Sequence, residues 1–260
     1  VCEEAAQWGA DLLITHHPII FKPAKSVTDE TSIGRSIMCL IKNGISAINA
    51  HTNLDQASGG VNDVLANKLG LQDVTVIDPC GVDANGAEWG LLRCGSVTEQ
   101  PLADFLAIVK DSLGCEGLRY VDGGKPVRKV AVGGGACSGE MLDAIDAGCD
   151  TFVTSDVKYN QFWDAHDLGL NLIDAGHFHT ENPVIAVLAE QMAPGLGVDA
   201  ATAAIPLYFG LLSGATLGGN ITPIGASANI TAIAAEGYSS SEAMDALENV
   251  SKKLYIMISV

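Results

Sequence analysis

The feature that most constrains this chain is a short apolar run that recurs and ends each time on polar, reactive residues. DLLIT (11–15) runs into His16-His17-Pro18, and Ile45 to Ala50 runs into His51-Thr-Asn-Leu-Asp55. TFVTS (151–155) runs into Asp156, and Asn171 to Ile173 leads through Asp174 to His177. Apolar runs this short read as buried parallel strands. Helix-spaced segments separate them. Residues 32–43 place Ile33, Ile37, Leu40 and Ile41 on one face, and Gly44 ends that helix. VNDVLANKLG follows Gly59-Gly60 and stops at Gly70. In the second half VRKVAV is a strand, GGGACSG (133–139) a tight turn with Ser138 as its cap, and EMLDAIDAG a helix. Thr180 is the expected N-cap of a helix through PVIAVLAEQM, with Pro183 in its first turn.

This alternation predicts an α/β fold with mixed sheets flanked by helices. Open α/β sheets bind ligands beyond the C-terminal ends of their strands. His16, His51, Asp156 and His177 all arrive there, so the sequence predicts one shared site at one sheet edge. Residues 1–85 form the first part of the core and 128–198 the second. Between them, 88–94, 101–113 and 118–121 read as strand, helix and strand, so 86–127 is a small mixed α/β insertion or the continuation of a mixed sheet. Residues 199–260 form an atypical tail. Its stretch 200–235 has no charged residue and is rich in Gly, Ser, Thr, Asn and Pro. That suits a broken membrane segment or a buried glycine-rich helix pair.

Charge narrows the function classes. The chain carries 14 basic and 31 acidic residues, net −17, too few cations for a specific nucleic-acid surface. Seven cysteines are present without a C-x-x-C pair, which reads as buried thiols in a reducing, cytoplasmic setting. The first residue is Val1 inside a helix-like segment, so a preceding segment is expected.

The chemistry-bearing residues point to metal. His16 and His17 are adjacent at a strand end, where the chain can turn both rings toward one centre or two. The plain alternative is a packed, hydrogen-bonded pair. Asp55 offers two oxygens that could bridge cations, or it caps a turn. His177 and Glu181 are four apart, but a helix starting only at Thr180 would require the loop to fold back. Glu181 could equally complement a helix dipole. His51 reads as a ligand, an acid–base group or a hydrogen-bond donor to a ligand. Mixed imidazoles and carboxylates suit Zn, Mn, Fe, Co or Ni better than Ca or Mg. Five ligands exceed one tetrahedral zinc with an open position and match two divalent ions.

GADLLITHHPIIFKP, INAHTNLDQASGGVNDVLANKLGL, KVAVGGGACSG, TFVTSDVKY and LIDAGHFHTE together resemble the Nif-three-like family, also labelled GTP cyclohydrolase I type 2 homologues. The resemblance spans residues 1–195. It implies the Nif-three-like fold and a two-metal site made by His16, His17, Asp55, His177 and Glu181. It also implies a homohexamer with metal sites facing an internal cavity. The family label implies a hydrolase acting on a small anionic or nucleotide-like substrate, with a non-catalytic metal-binding scaffold as the alternative. Two features depart from the family pattern. Asn160 stands where the family commonly carries His, which leaves His51 as the acid–base residue. Residues 206–233 resemble a segment of citrate/arsenite/sodium–proton type transporters.

Overall fold

The computed structural model describes residues 1–195 and 254–256, and these divide into two compact units, each with its own core. Of the described residues, the first unit comprises Val1–Asn53 and those from Ile185 onward; the second is Leu54–Val184.

The first unit opens with α1 (Cys2–Trp8), β1 (Leu12–Thr15), α2 (Ser32–Asn43) and β2 (Ser46–Asn49). Thr31 caps α2 by accepting the Gly34 N–H at 3.0 Å. Gly44 closes that helix in the left-handed region at φ 66°, as its position predicts. The short helix α3 (Thr52–Gln56) spans the division between the units.

The second unit then runs through α4 (Val61–Lys68), β3 (Gln72–Ile77), the hairpin β4 (Gly81–Val82) and β5 (Glu88–Trp89), β6 (Leu92–Gln100) and α5 (Leu102–Leu113). It continues with β7 (Arg119–Val121), β8 (Val127–Val132), a 3₁₀ turn at Ser138–Glu140, α6 (Met141–Asp146), β9 (Thr151–Thr154), α7 (Tyr159–Leu168), β10 (Asn171–Asp174) and α8 (His177–Glu181). The chain returns to the first unit with α9 (Val184–Gly195) and β11 (Leu254–Ile256).

In the first unit β1 lies between β11 and β2, parallel to both. Alternate residues of a strand face opposite ways. Leu13 accordingly packs with Cys2, Ala5, Leu40 and Ile45 of α1, α2 and the turn after α2. Leu12 and Ile14 pack with Ala189 of α9. A central strand covered on both faces must be apolar throughout, which explains the LLI run.

The second unit repeats this logic at larger scale. Its six strands lie in the order β3-β6-β8-β9-β10-β7. β8, β9 and β10 are parallel, while β3, β6 and β7 pair antiparallel with their neighbours. Val130, Val132, Val153 and Ile173 point to the side holding Leu65, Phe105 and Val109 of α4 and α5. Ala131, Phe152 and Leu172 point to the side holding Met141, Ala144 and Ala165 of α6 and α7. The mixed sheet with helices on both faces is the expected α/β arrangement. Within 86–127, β6 runs inside the six-stranded sheet between β3 and β8, and β7 forms its edge beside β10.

Three expectations are corrected. The four strand ends belong to two sheets: β1 and β2 to the first unit's sheet, β9 and β10 to the second's. β1, β9 and β10, each buried throughout, look alike in sequence, so sheet membership was not legible. Thr180 does not start a helix but lies inside α8, which begins after Gly176 at φ 83°. Ser138 caps no helix through its side chain; its hydroxyl donates to Gln161 Oε1 at 2.9 Å. The transporter-like segment 206–233 lies outside the described residues. No described helix is long and apolar enough to cross a membrane.

Candidate functional site

In the first unit the site begins where β1 and β2 end side by side. Ala50 N–H donates to Thr15 O at 2.8 Å, and Asn49 donates to the Thr15 hydroxyl. Thr15 Oγ1 donates to His17 O at 2.8 Å, which holds the turn after the strand. His16 is almost wholly buried, and its Nδ1 lies 2.6 Å from Ala50 O. A carbonyl oxygen only accepts, so Nδ1 carries the proton and the ring's lone pair sits on Nε2.

His51 follows β2 and completes a triangle of rings. The centroids lie 5.0 Å apart for His16–His17, 5.2 Å for His16–His51 and 5.0 Å for His17–His51. One ring nitrogen from each residue lies within 4.8 Å of the other two, close enough to hold a metal ion. Adjacent residues on a regular strand would diverge. The chain turns at Thr15, so both His16 and His17 join the cluster.

The second unit carries the carboxylates. Asp55 and Glu181 are both buried. Their charges, together with that of Glu140, add to the burial that pushes the Cys137 thiol up to about 12. His177 and Glu181 sit one turn apart on α8, with His177 Nε2 3.0 Å from Glu181 Oε1. Folding back of a loop is therefore unnecessary; this expectation failed because α8 starts three residues earlier than Thr180 suggests.

Asp156 holds the other side of the imidazole, its Oδ2 2.7 Å from His177 Nδ1. Asp156 adopts φ 52°, a conformation that non-glycine residues rarely take. Burial works against a charged His177. The hydrogen bond and charge of Glu181, then those of Asp156, outweigh it and raise the imidazole from 6.5 to about 9.

The glycine turn explains how this pair is approached. Gly135 has φ 66°, and an added Cβ would collide with Glu181 Oε1 and lie 3.2 Å from His177 Nε2. Its N–H donates to Thr180 Oγ1 at 3.0 Å, and its carbonyl accepts from Ser155 Oγ at 2.6 Å. One residue back, Gly134 N–H donates to Asn62 Oδ1 at 2.6 Å, while Asn62 Nδ2 donates to Asp55 O at 3.2 Å. The turn thus ties the segments bearing Asp55, His177 and Glu181.

Sequence reasoning gave Gly135 and Asp156 no such roles. The available signals were the triple glycine and the strand-end position. His179 lies apart from the pair, with Nδ1 3.2 Å from Leu113 O. Asn160 is exposed on α7 and donates to Asp164 at 3.3 Å.

The donor chemistry fits a borderline divalent cation: clustered imidazoles in one unit and an imidazole–carboxylate pair in the other. The pair's backbone cradle has room only for glycine.

Comparison with known proteins agrees with the fold. A family model described as Duf34/NIF3 (NGG1p interacting factor 3) matches residues 1–205. A GTP cyclohydrolase 1 type 2 homolog from Clostridium perfringens is 36% identical over 201 residues, covering 76% of each chain. One from Streptomyces coelicolor is 37% identical over 196 residues, covering 73% of this chain and 68% of its own. Among solved structures, the Bacillus cereus protein related to NIF3 has a TM-score of 0.69 at 27% identity, covering 75% of this chain and 80% of its own. Reduced HcgD from Methanocaldococcus jannaschii has a TM-score of 0.61 at 27% identity, covering 74% of each chain. The chain belongs to the Duf34/NIF3 family.

Proposed function

We propose that this chain is a metal-dependent hydrolase holding two divalent first-row ions through His16, His17, Asp55, His177 and Glu181. The observation that carries this reading is the packing of three imidazoles so that one nitrogen of each lies within 4.8 Å of the others. The His177–Glu181 pair, cradled by Gly135, supports the carboxylate half.

Bound divalent ions would supply Lewis acidity and water of lowered pKa. The chain's own residues do the rest. Asp156 fixes the His177 ring through Nδ1 and so directs Nε2. The Ala50 carbonyl fixes the His16 tautomer. His51 is the proposed acid–base group, since an imidazole exchanges protons near neutrality.

The relatives named GTP cyclohydrolase 1 type 2 homologs suggest the substrate class: a nucleotide or a pterin-precursor-like compound, opened by hydrolysis. A homohexamer is proposed with it, and light scattering on the purified chain tests it.

The deciding experiment measures metal content and turnover for the wild type and His51→Asn. Nucleoside triphosphates, phosphoesters and cyclic amides are screened with Mn²⁺, Co²⁺, Zn²⁺ and Fe²⁺. Turnover lost with metal retained supports the assignment. Metal lost in the variant makes His51 a ligand or a ligand's support. A wild type that binds metal and turns over nothing favours the scaffold reading.

A further inference from the structure

β9 and β10 end side by side, and the residues that follow them meet: Asp156 after β9, His177 after β10. Both exits turn through left-handed backbone, Asp156 at φ 52° and Gly176 at φ 83°. Glycine takes that conformation freely, whereas aspartate takes it only where its surroundings hold it there. One side chain reaches both turns. Asp174, the last residue of β10, lies opposite Thr154 and is buried. Its Oδ1 accepts from the N–H of Gly176, the residue before His177, at 3.1 Å. Its Oδ2 accepts from the N–H of Val157, the residue after Asp156, at 3.1 Å. Arg119 of β7 also donates to Oδ2, and its guanidinium carbon lies 5.3 Å from the Phe162 ring centroid.

We propose that Asp174 is a positioning residue for His177. Its two oxygens clip the exits of β9 and β10 together, so that Asp156 meets His177 Nδ1 and Nε2 is left on the Glu181 side. Its importance for metal binding rests on the proposed role of His177 as a ligand.

The bland alternative is that Asp174 serves only its ion pair with Arg119. That pair needs one oxygen, and the Arg119 side chain is 64% exposed, which makes the pair weak by itself. A buried carboxylate is costly unless its oxygens are satisfied, and two of the three bonds here go to the strand exits. Asparagine could not replace them. It offers one acceptor oxygen, and its NH2 would face a backbone N–H. The Val157 bond spans two strands and fixes the peptide that Asp156 leaves in its left-handed turn. The Gly176 bond is local and fixes the turn that begins α8. Together they set both ends of the Asp156–His177 hydrogen bond, and a ligand imidazole points where the bond to its other nitrogen directs it.

The test uses the metal-free full chain with 15N-labelled histidine. The His177 Nδ1–H resonance, assigned by its absence in His177→Gln, reports the hydrogen bond to Asp156. It is expected in the wild type and in Arg119→Gln, which keeps both backbone bonds. It is expected to be lost to exchange with water in Asp156→Ala and in Asp174→Asn. Zn²⁺ titration gives the second readout. Asp174→Asn should weaken Zn²⁺ binding about tenfold in the wild-type background but less than about twofold in the Asp156→Ala background, because the clip acts through Asp156. A resonance retained in Asp174→Asn that is folded by circular dichroism overturns the proposal, as does equal weakening in both backgrounds. A resonance lost in Arg119→Gln also overturns it, since the ion pair would then set the ring. A wild type that binds no Zn²⁺ removes His177 from the ligand set, while the metal-free resonance still decides the role of Asp174.

Discussion

The two units carry donor groups of different character. The first unit gathers three imidazoles, and the partner that orients His16 is a neutral backbone carbonyl. The second unit sets one imidazole between two carboxylates, Asp156 and Glu181, which raise it to about 9. Under the proposed metal reading, a cation bound there would compete with the proton on His177. The difference teaches that ligand identity alone does not set a site; the atoms behind each ligand decide its charge state.

The largest expected effect tests whether the carboxylate is needed. Glu181→Ala should weaken metal binding by on the order of 100-fold or more, because it removes a charged ligand and leaves His177 to Asp156 alone. His179→Ala should change it less than about twofold, since His179 faces Leu113 O. Isothermal titration with Zn²⁺ and Mn²⁺ separates them; equal affinities in both variants would remove Glu181 from the ligand set.

A glycine pair sharpens the comparison. Gly135 and Gly44 both have φ 66°, but an added Cβ at Gly44 meets nothing within 4 Å. Gly44→Ala should therefore cost about 1 kcal/mol, the backbone penalty alone. Gly135→Ala adds a collision with Glu181 and should cost about 3 kcal/mol while lowering metal occupancy. Urea unfolding of both variants gives the ratio. Similar costs would mean that the cradle yields.

The pH dependence of the metal-free protein probes the charge difference directly. His177 is raised from 6.5 to about 9, so its interactions stabilise the fold fully below 6.5 and are lost as pH rises through about 9. The loss should be on the order of 3 kcal/mol, seen as a fall in urea midpoint between pH 6.5 and 9.5. Glu181→Gln should flatten that fall. A wild-type profile level over the window would show that His177 is not held protonated.

The smallest effect concerns support behind the ligand. Asp156→Asn should weaken metal binding about tenfold without abolishing it, because it removes charge from the His177 Nδ1 partner but keeps an acceptor. A decrease as large as that of Glu181→Ala would instead make Asp156 a ligand.

The sequence by itself determined many of the strands and helices, among them β1, β2, β8, β9, β10, α2 and α4, and which residues bring chemistry to strand ends. Both follow from local rules: period-matched apolar runs, glycine stops and polar residues where a strand finishes. That was enough to mark His16, His17, His51, Asp55, His177 and Glu181. Tertiary structure alone decided how the strands divide between two sheets, because pairing is a long-range choice and two-sided burial makes β1, β9 and β10 equally apolar. It also decided the start of α8 and the close approach of Gly135 to Glu181. Each depends on what packs against a residue from far along the chain, and no local period records that.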